Sequence, residues 1–247
     1  MIKILLYGFI LLMSLSLNVH AFNKSFELVW QSILQNHVQE LNTDGLFSKG
    51  IEYDKISDSQ TFFSLIRLIE STNPSDLKTI NAKKAFWINV YNIACIKLMI
   101  ENKFENAEQC FHKGRFDQIP AITVDQIPYS LKEIRQDILP EYQDPRVYFA
   151  IDTCFMSGPN LNPKAYTEDN IEELLKEQLK AFMSDKKKGI LINRNTKIVY
   201  VSLIFKEIPQ YLSPKFNIKD FLETYFSESF FQYDIVFLNF STEFNKI

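Results

Sequence analysis

The chain has 247 residues, with 27 Lys and Arg against 30 Asp and Glu, and a formal net charge of −3. Its charges are dispersed, and Lys186-Lys187-Lys188 is the only basic run, so nucleic acid is not an expected partner. With 22 Phe, 11 Tyr and only 6 Gly, the composition excludes a disordered or low-complexity chain and points to a packed globule.

The first residues read as a signal peptide. Lys3 gives a positive start, Ile4 to Leu17 form an apolar run, and Val19-His20-Ala21 supplies the cleavage site. The apolar run is shorter than the roughly 20 residues that span a bilayer. An exported protein, periplasmic or secreted, is therefore expected, with residues 22–247 forming one domain and no stable membrane span after cleavage. Removing Lys3 leaves 26 basic residues against 30 acidic ones, a mature charge of about −4.

A helix is expected from Phe26 to Leu41, where Phe26, Trp30, Ile33, Leu34, Val38 and Leu41 make one apolar stripe. His37 lies beside it as a partly covered structural histidine. Gly50 to Asp54 reads as a short extended piece, and a second helix as Ser59 to Ser71, ended by Asn73-Pro74. The next helix, about Ala82 to Lys103 with Asn81 as cap, is apolar nearly all round over Ala85 to Ile96. It is the expected buried centre of the fold. Asn89 and Asn92 sit one turn apart within it, and buried amides need hydrogen-bond partners. Tying neighbouring backbone is the bland reading of both, and facing a ligand the functional one.

Asp117 to Tyr129 reads as loop, Ser130 to Leu139 as a short helix, and Pro145 to Ile151 as a buried strand. The strand leads into an irregular stretch, Asp152 to Lys164. Thr167 opens a helix running to about Asp185. Gly189–Asn193 and Lys197–Val201 flank a turn, a β-hairpin by pattern. Helices at Ser202–Leu212 and Ile218–Phe226 and a strand at Tyr233–Asn239 complete the chain. The fold class is α+β, mostly helical around the central apolar helix, with a small sheet that includes the hairpin. Neither a repeat nor a linker marks a domain boundary.

Three cysteines in an exported chain allow at most one internal bridge. Cys95 reads as a small core residue of the apolar helix. Cys110 and Cys154 lie in less regular stretches and are candidates for a disulfide, with a buried strand-end thiol as the alternative for Cys154. Cys110 and His112 form a bare pair without companions, so neither a metal site nor a cofactor is expected.

Four segments together resemble the domain-of-unknown-function 547 family. They are Gly50-Ile51-Glu52-Tyr53, Lys84-Ala85-Phe86-Trp87-Ile88-Asn89-Val90-Tyr91-Asn92, Asp144-Pro145-Arg146-Val147-Tyr148-Phe149-Ala150-Ile151, and, loosely, Tyr233-Asp234 through Leu238-Asn239. Members usually carry a loop ending in Cys-Pro-Pro-Leu after the Asp-Pro-Arg segment, and an Ile-Glu-His helix before it. The resemblance implies a thiol activated by a histidine and a carboxylate, suited to acyl transfer or amide hydrolysis. This sequence departs at all three positions. The thiol falls on Gly158, the histidine on Gln136 and the carboxylate on Arg135. A catalytically degenerate member that keeps a binding cleft is the resulting expectation. Cys154 or Ser157 acting as a rearranged nucleophile in a working hydrolase or acyltransferase is the alternative. The expected cleft comprises Trp87, Asn89, Asn92, Arg135, Gln136, Asp152, Gly158 and Asn160. With Arg135 at its rim, its expected ligand is an anionic small molecule or peptide.

Overall fold

The computed structural model describes residues 25–112, 116–206, 208 and 216–247, with the side chains of 111 and 112 excepted. The expected signal peptide lies outside the described residues. The architecture is α+β, with small sheets of two or three strands set around a long buried helix.

Helix α1 covers residues 25–37 and buries Phe26, Trp30, Ile33 and Leu34. It ends earlier than the apolar stripe suggests. Val38–Thr43 (β1) instead pairs antiparallel with Leu46–Ile51 (β2). Asp44 and Gly45 both take positive φ in the turn between them, and Gly45 N–H donates to Asn42 Oδ1. Val38 and Leu41 continue the helical spacing by coincidence, and the Asn-Thr-Asp-Gly turn overrides it.

Short α2 (Tyr53–Ser57) and α3 (Gln60–Glu70) follow, the latter capped by Ser59, which accepts from Phe62 N–H. Helix α4 (Ile80–Asn102) is capped by Thr79 rather than Asn81. Thr79 Oγ1 accepts from Ala82 N–H, so the helix begins two residues before the expected start. Fifteen of its 23 residues are buried, on every face. A helix with no solvated side must be surrounded by the rest of the chain, and this one is the centre of the fold.

After α5 (Ala107–His112) the chain forms a hairpin where a loop was expected. Pro120–Val124 (β3) pairs with Ile127–Ser130 (β4), with Asp125 and Gln126 both at positive φ in the turn. The prolines are tolerated because the sheet has only two strands, both of them edges. Ser130 and Glu133 form a reciprocal capping box that starts α6 (Leu131–Glu133). The chain continues through a π-helical turn, Ile134–Ile138, and a 3-10 turn, Leu139–Tyr142.

Pro145–Phe149 is a 3-10 helix, not a strand. Pro145 fixes φ in the helical range at the first position, and the Asp144 carboxylate accepts from Arg146 N–H as an N-cap. The apolar run Val147-Tyr148-Phe149 is buried as expected, but in helical geometry. Asp144 also pairs with the Arg146 guanidinium and with Lys84 Nζ. Both cations reach Glu172 of α7 (Ile171–Ser184). This network clamps the start of the central helix to the 3-10 turn and to α7.

Ile190–Asn193 (β5) and Ile198–Val201 (β6) form the expected hairpin. Of the expected Ser202–Leu212 helix, residues 204–206 and 208 are helical and 209–212 lie outside the described residues. Ile218–Phe226 (α8) is helical as expected, capped by Asn217. Asp234–Phe237 (β7) then adds parallel to β6. The segment after β7 runs back across the molecule. Ile247 N–H donates to Ile51 O, Asn245 N–H to Cys154 O, and Met156 N–H to Glu243 O.

Candidate functional site

The loop after Pro145–Phe149 is held from several sides. Asp152 is fully buried. Its N–H donates to Asn92 Oδ1 at 2.8 Å, and its carboxylate accepts from Cys154 N–H at 3.0 Å and from Asn245 Nδ2 at 3.1–3.2 Å. Asn245 Oδ1 in turn accepts from Tyr53 O–H at 2.7 Å. Burial raises the Asp152 carboxyl to about 6 against these bonds. Lys188 is buried too, donating to Asn160 Oδ1 and Met156 O, and burial lowers it to about 8.

The Asp152–Cys154 bond is a side-chain turn. It sets Cys154 at φ +64°, in the left-handed region, where its sulfur bonds to Cys95 of α4. The disulfide thus joins Cys95 and Cys154, not Cys110 and Cys154. Cys110 is a free, buried cysteine, its thiol pushed up to about 11 by burial. Cys95 lies in the core as read from sequence, but as a bonded partner. Cys154 has no thiol to ionise, which removes it as a nucleophile.

Beside this loop lies a cavity of about 460 Å³, within the size range of small-molecule sites. Tyr91 and Cys95, one turn apart on α4, form part of its wall with Cys110, Leu131, Phe155 and Gly158. Half-buried Phe116, Asp117, Leu203, Ile204 and Phe240 complete it. Arg135 enters from the π-helical turn, and its guanidinium donates to Asp117 Oδ2 at 3.0 Å. Three hydroxyl residues, Thr153, Ser157 and Ser202, also face the cavity. Ser157 Oγ accepts from Ser241 N–H at 2.6 Å, and Ser202 Oγ from Ile204 N–H at 3.5 Å. Thr153 Oγ1 is shielded and has no hydrogen-bond partner among the described residues.

Of the expected cleft residues, Arg135 and Gly158 line this cavity and the other six do not. Trp87 is buried edge-on against Phe86 and Tyr129, with ring centroids 5.4 and 5.2 Å away. Asn89 brackets Tyr166, donating to its carbonyl and accepting from its N–H. Asn92 does the same for Ala150 O and Asp152 N–H. Both amides have the bland role: their bonds are spent on backbone. Asp152 is absorbed in the core network, and Asn160 accepts from Ser48 and Lys188. Gln136, next to Arg135, is half-buried outside the cavity lining. Sequence reasoning missed Tyr91, Asp117, Thr153 and Phe240. Tyr91 and Cys95, four apart on one helix, were open to pairing by spacing, but Phe240 arrives from a distant segment with no local signal.

His37 Nδ1 lies 3.3 Å from Glu52 Oε2 at the β1–β2 hairpin and does not line the cavity. Among the described residues, no group of three or more His, Cys, Asp or Glu could hold a metal ion. No described helix is long and apolar enough to cross a membrane.

Residues 74–183 match the model of a family described as a protein of unknown function, DUF547. That stretch, less than half of the chain, is similar to that family. It runs from before α4 to the end of α7 and contains Arg135, the disulfide and the whole 152–161 loop. The resembling segments at Gly50–Tyr53 and Tyr233–Asn239 fall outside it. No curated protein and no solved structure matches the chain.

Proposed function

We infer that this is an exported, one-domain, non-catalytic member of its family that binds a small organic ligand in the cavity beside residues 152–161. One observation carries the reading. Positions 135 and 158, where the family resemblance implies a carboxylate and a thiol, both line that cavity, yet they hold arginine and glycine. Gln136, at the position the resemblance gives to the histidine, adjoins Arg135 but lies outside the lining, and none of the three residues can serve as nucleophile or base.

The neighbouring residues support the same reading. Cys154 is consumed by its disulfide. The Ser157 oxygen accepts from the Ser241 amide, and no histidine side chain among the described residues lines the cavity. A serine hydroxyl needs an adjacent base to attack. The Cys95–Cys154 bond is in keeping with an oxidising compartment outside the cytosol, as the signal-like start of the chain requires.

Native protein treated with fluorophosphonate and iodoacetamide probes should remain unlabelled at Ser157, Cys110 and Cys154. Stoichiometric modification of Ser157 or Cys154, lost in the corresponding alanine variant, would instead support the rearranged-nucleophile enzyme. Sequencing of the N-terminus of the protein recovered from cells should begin at Phe22. Recovery with Met1 intact would remove export from the reading.

A further inference from the structure

We propose that residues 239–244 form a strap that opens and closes over the cavity, pivoting at Leu238 and Asn245 and latched shut on Ser157 and Phe155. The proposal rests on the binding reading above and names how the site is entered.

Part of the cavity wall comes from the segment after β7, through Phe240. The other walls are built into the fold. Tyr91 and Cys95 belong to the central helix, and Leu131 is buried. Leu203 and Ile204 sit in a turn anchored by fully buried Phe205. Residues 239–244 have no regular structure beyond a single bridge between Phe155 and Phe244. Asn239, Thr242 and Glu243 are exposed.

The two ends of this segment are firmly held. Leu238 N–H donates to Val201 O at 2.8 Å, continuing the β6–β7 pairing. Asn245 is buried, its N–H donating to Cys154 O at 3.1 Å and its carbonyl accepting from Ile51 N–H at 2.7 Å. Its side chain is tied to Tyr53 and Asp152. Fixed ends of this kind are where a moving loop bends.

Between them the ties are few. Among the described residues, the strap reaches the 152–161 loop through two hydrogen bonds. Ser241 N–H donates to Ser157 Oγ at 2.6 Å, and Glu243 O accepts from Met156 N–H at 2.9 Å. Rings supply the rest: Phe155 lies edge-on to Phe240, with centroids 5.6 Å apart, and stacked on Phe244 at 5.3 Å. Phe155 and Phe240 both line the cavity, so parting them breaches its wall. Phe240 and Phe244 are each half-buried. Segments with few buried contacts open before the core does.

This arrangement gives Ser157 a role as the acceptor of the latch. It stands on a loop that the Cys95–Cys154 bond and the Asp152 bonds hold to the central helix, so the loop stays and the strap moves. The side chains at this wall and opposite it, Leu131, Phe155, Ile204 and Phe240, are apolar, which suits a molecule with an apolar surface.

Amide exchange read residue by residue by NMR on the purified protein tests the motion. The Ser241 and Met156 amides should exchange at least about tenfold faster than those of Asn245 and Ile51. N-phenylnaphthylamine, a neutral apolar dye, tests the gate by stopped-flow fluorescence. Ser157→Ala removes the latch acceptor and should raise the dye's association and dissociation rates together, each about fivefold, with Kd within about twofold of the parent's. A lost wall contact would instead raise dissociation alone. If Ser157→Ala fails to fold, Phe244→Ala carries the same comparison, because it loosens the strap from Phe155 without being part of the cavity lining. A Ser241 amide as slow as that of Asn245, or dye rates unchanged in both variants, would overturn the strap and leave the cavity as a binding site. A dye that neither binds nor shifts cavity resonances would remove the binding reading, and the gate with it.

Discussion

Asp152 and Thr153 are neighbours in the chain and opposites in bonding. Asp152 is fully buried, with its carboxylate and backbone N–H each engaged. Thr153, one residue on, lines a cavity through its other atoms, and its shielded oxygen has no partner among the described residues. Burial alone does not separate a structural polar group from a functional one. What separates them is whether the chain itself completes the bonds, because a completed group has nothing left to offer a ligand. By that criterion Asn89, Asn92, Asp152 and Asn160 belong to the scaffold.

If the contrast is right, stability should be concentrated in the bonded core, with little of it at the cavity hydroxyls. Trp87→Ala should be the costliest change, about 3–5 kcal/mol in denaturant unfolding, because a large buried ring would leave a void in the central helix. A variant melting within about two degrees of the parent would show that Trp87 is not core. Reduction of Cys95–Cys154, or Cys154→Ser, should cost about 3–4 kcal/mol, since the bond closes a long loop. An unchanged denaturation midpoint in dithiothreitol would mean that the bond carries no stability. Asn92→Ala should cost about 2–3 kcal/mol, as Ala150 O and Asp152 N–H would lose their shared partner.

Titration sharpens the same comparison. With its folded value raised to about 6 from 3.8, Asp152 binds its proton more tightly in the folded state. Its contribution to stability is therefore greatest below about pH 4 and declines as pH rises towards 6. Asp152→Asn should flatten that segment of the stability profile, and a slope identical to the parent's would place the effect elsewhere. The smallest change is expected at the cavity. Ser202→Ala removes only a 3.5 Å contact to Ile204 N–H, and a loss above about 1 kcal/mol would contradict the division drawn here.

How much of this was legible in the sequence depended on how local its cause is. The central helix, the 190–201 hairpin and α8 follow from periodicity and capping within a few residues, and these readings agree with the structure. Pro145–Phe149 was misread because a buried β-like run outweighed the Asp-Pro start signal. The end of α1 was misread because Val38 and Leu41 happen to extend its stripe. The β3–β4 hairpin was missed because its turn, Asp125-Gln126, is not one of the strong hairpin pairs. In the site, the 152–161 loop, Arg135 and Gly158 came from the family pattern. The disulfide partner, Asp117 and Phe240 come from distant parts of the chain, which no local pattern encodes. Likewise, Asn89 and Asn92 carry the same amide whether they hold a ligand or a peptide bond, and only the geometry decides.

The tie between Tyr53 and Asn245 spans 192 residues of chain, and Asn245 also closes the bonds of Asp152. The Asp152 cluster therefore stays incomplete until that late segment has been synthesised and brought back. Loop closure over so long a separation is slow. Until those last residues arrive, the Asp152 carboxylate lacks its Asn245 partner and the loop that begins there is only partly tied.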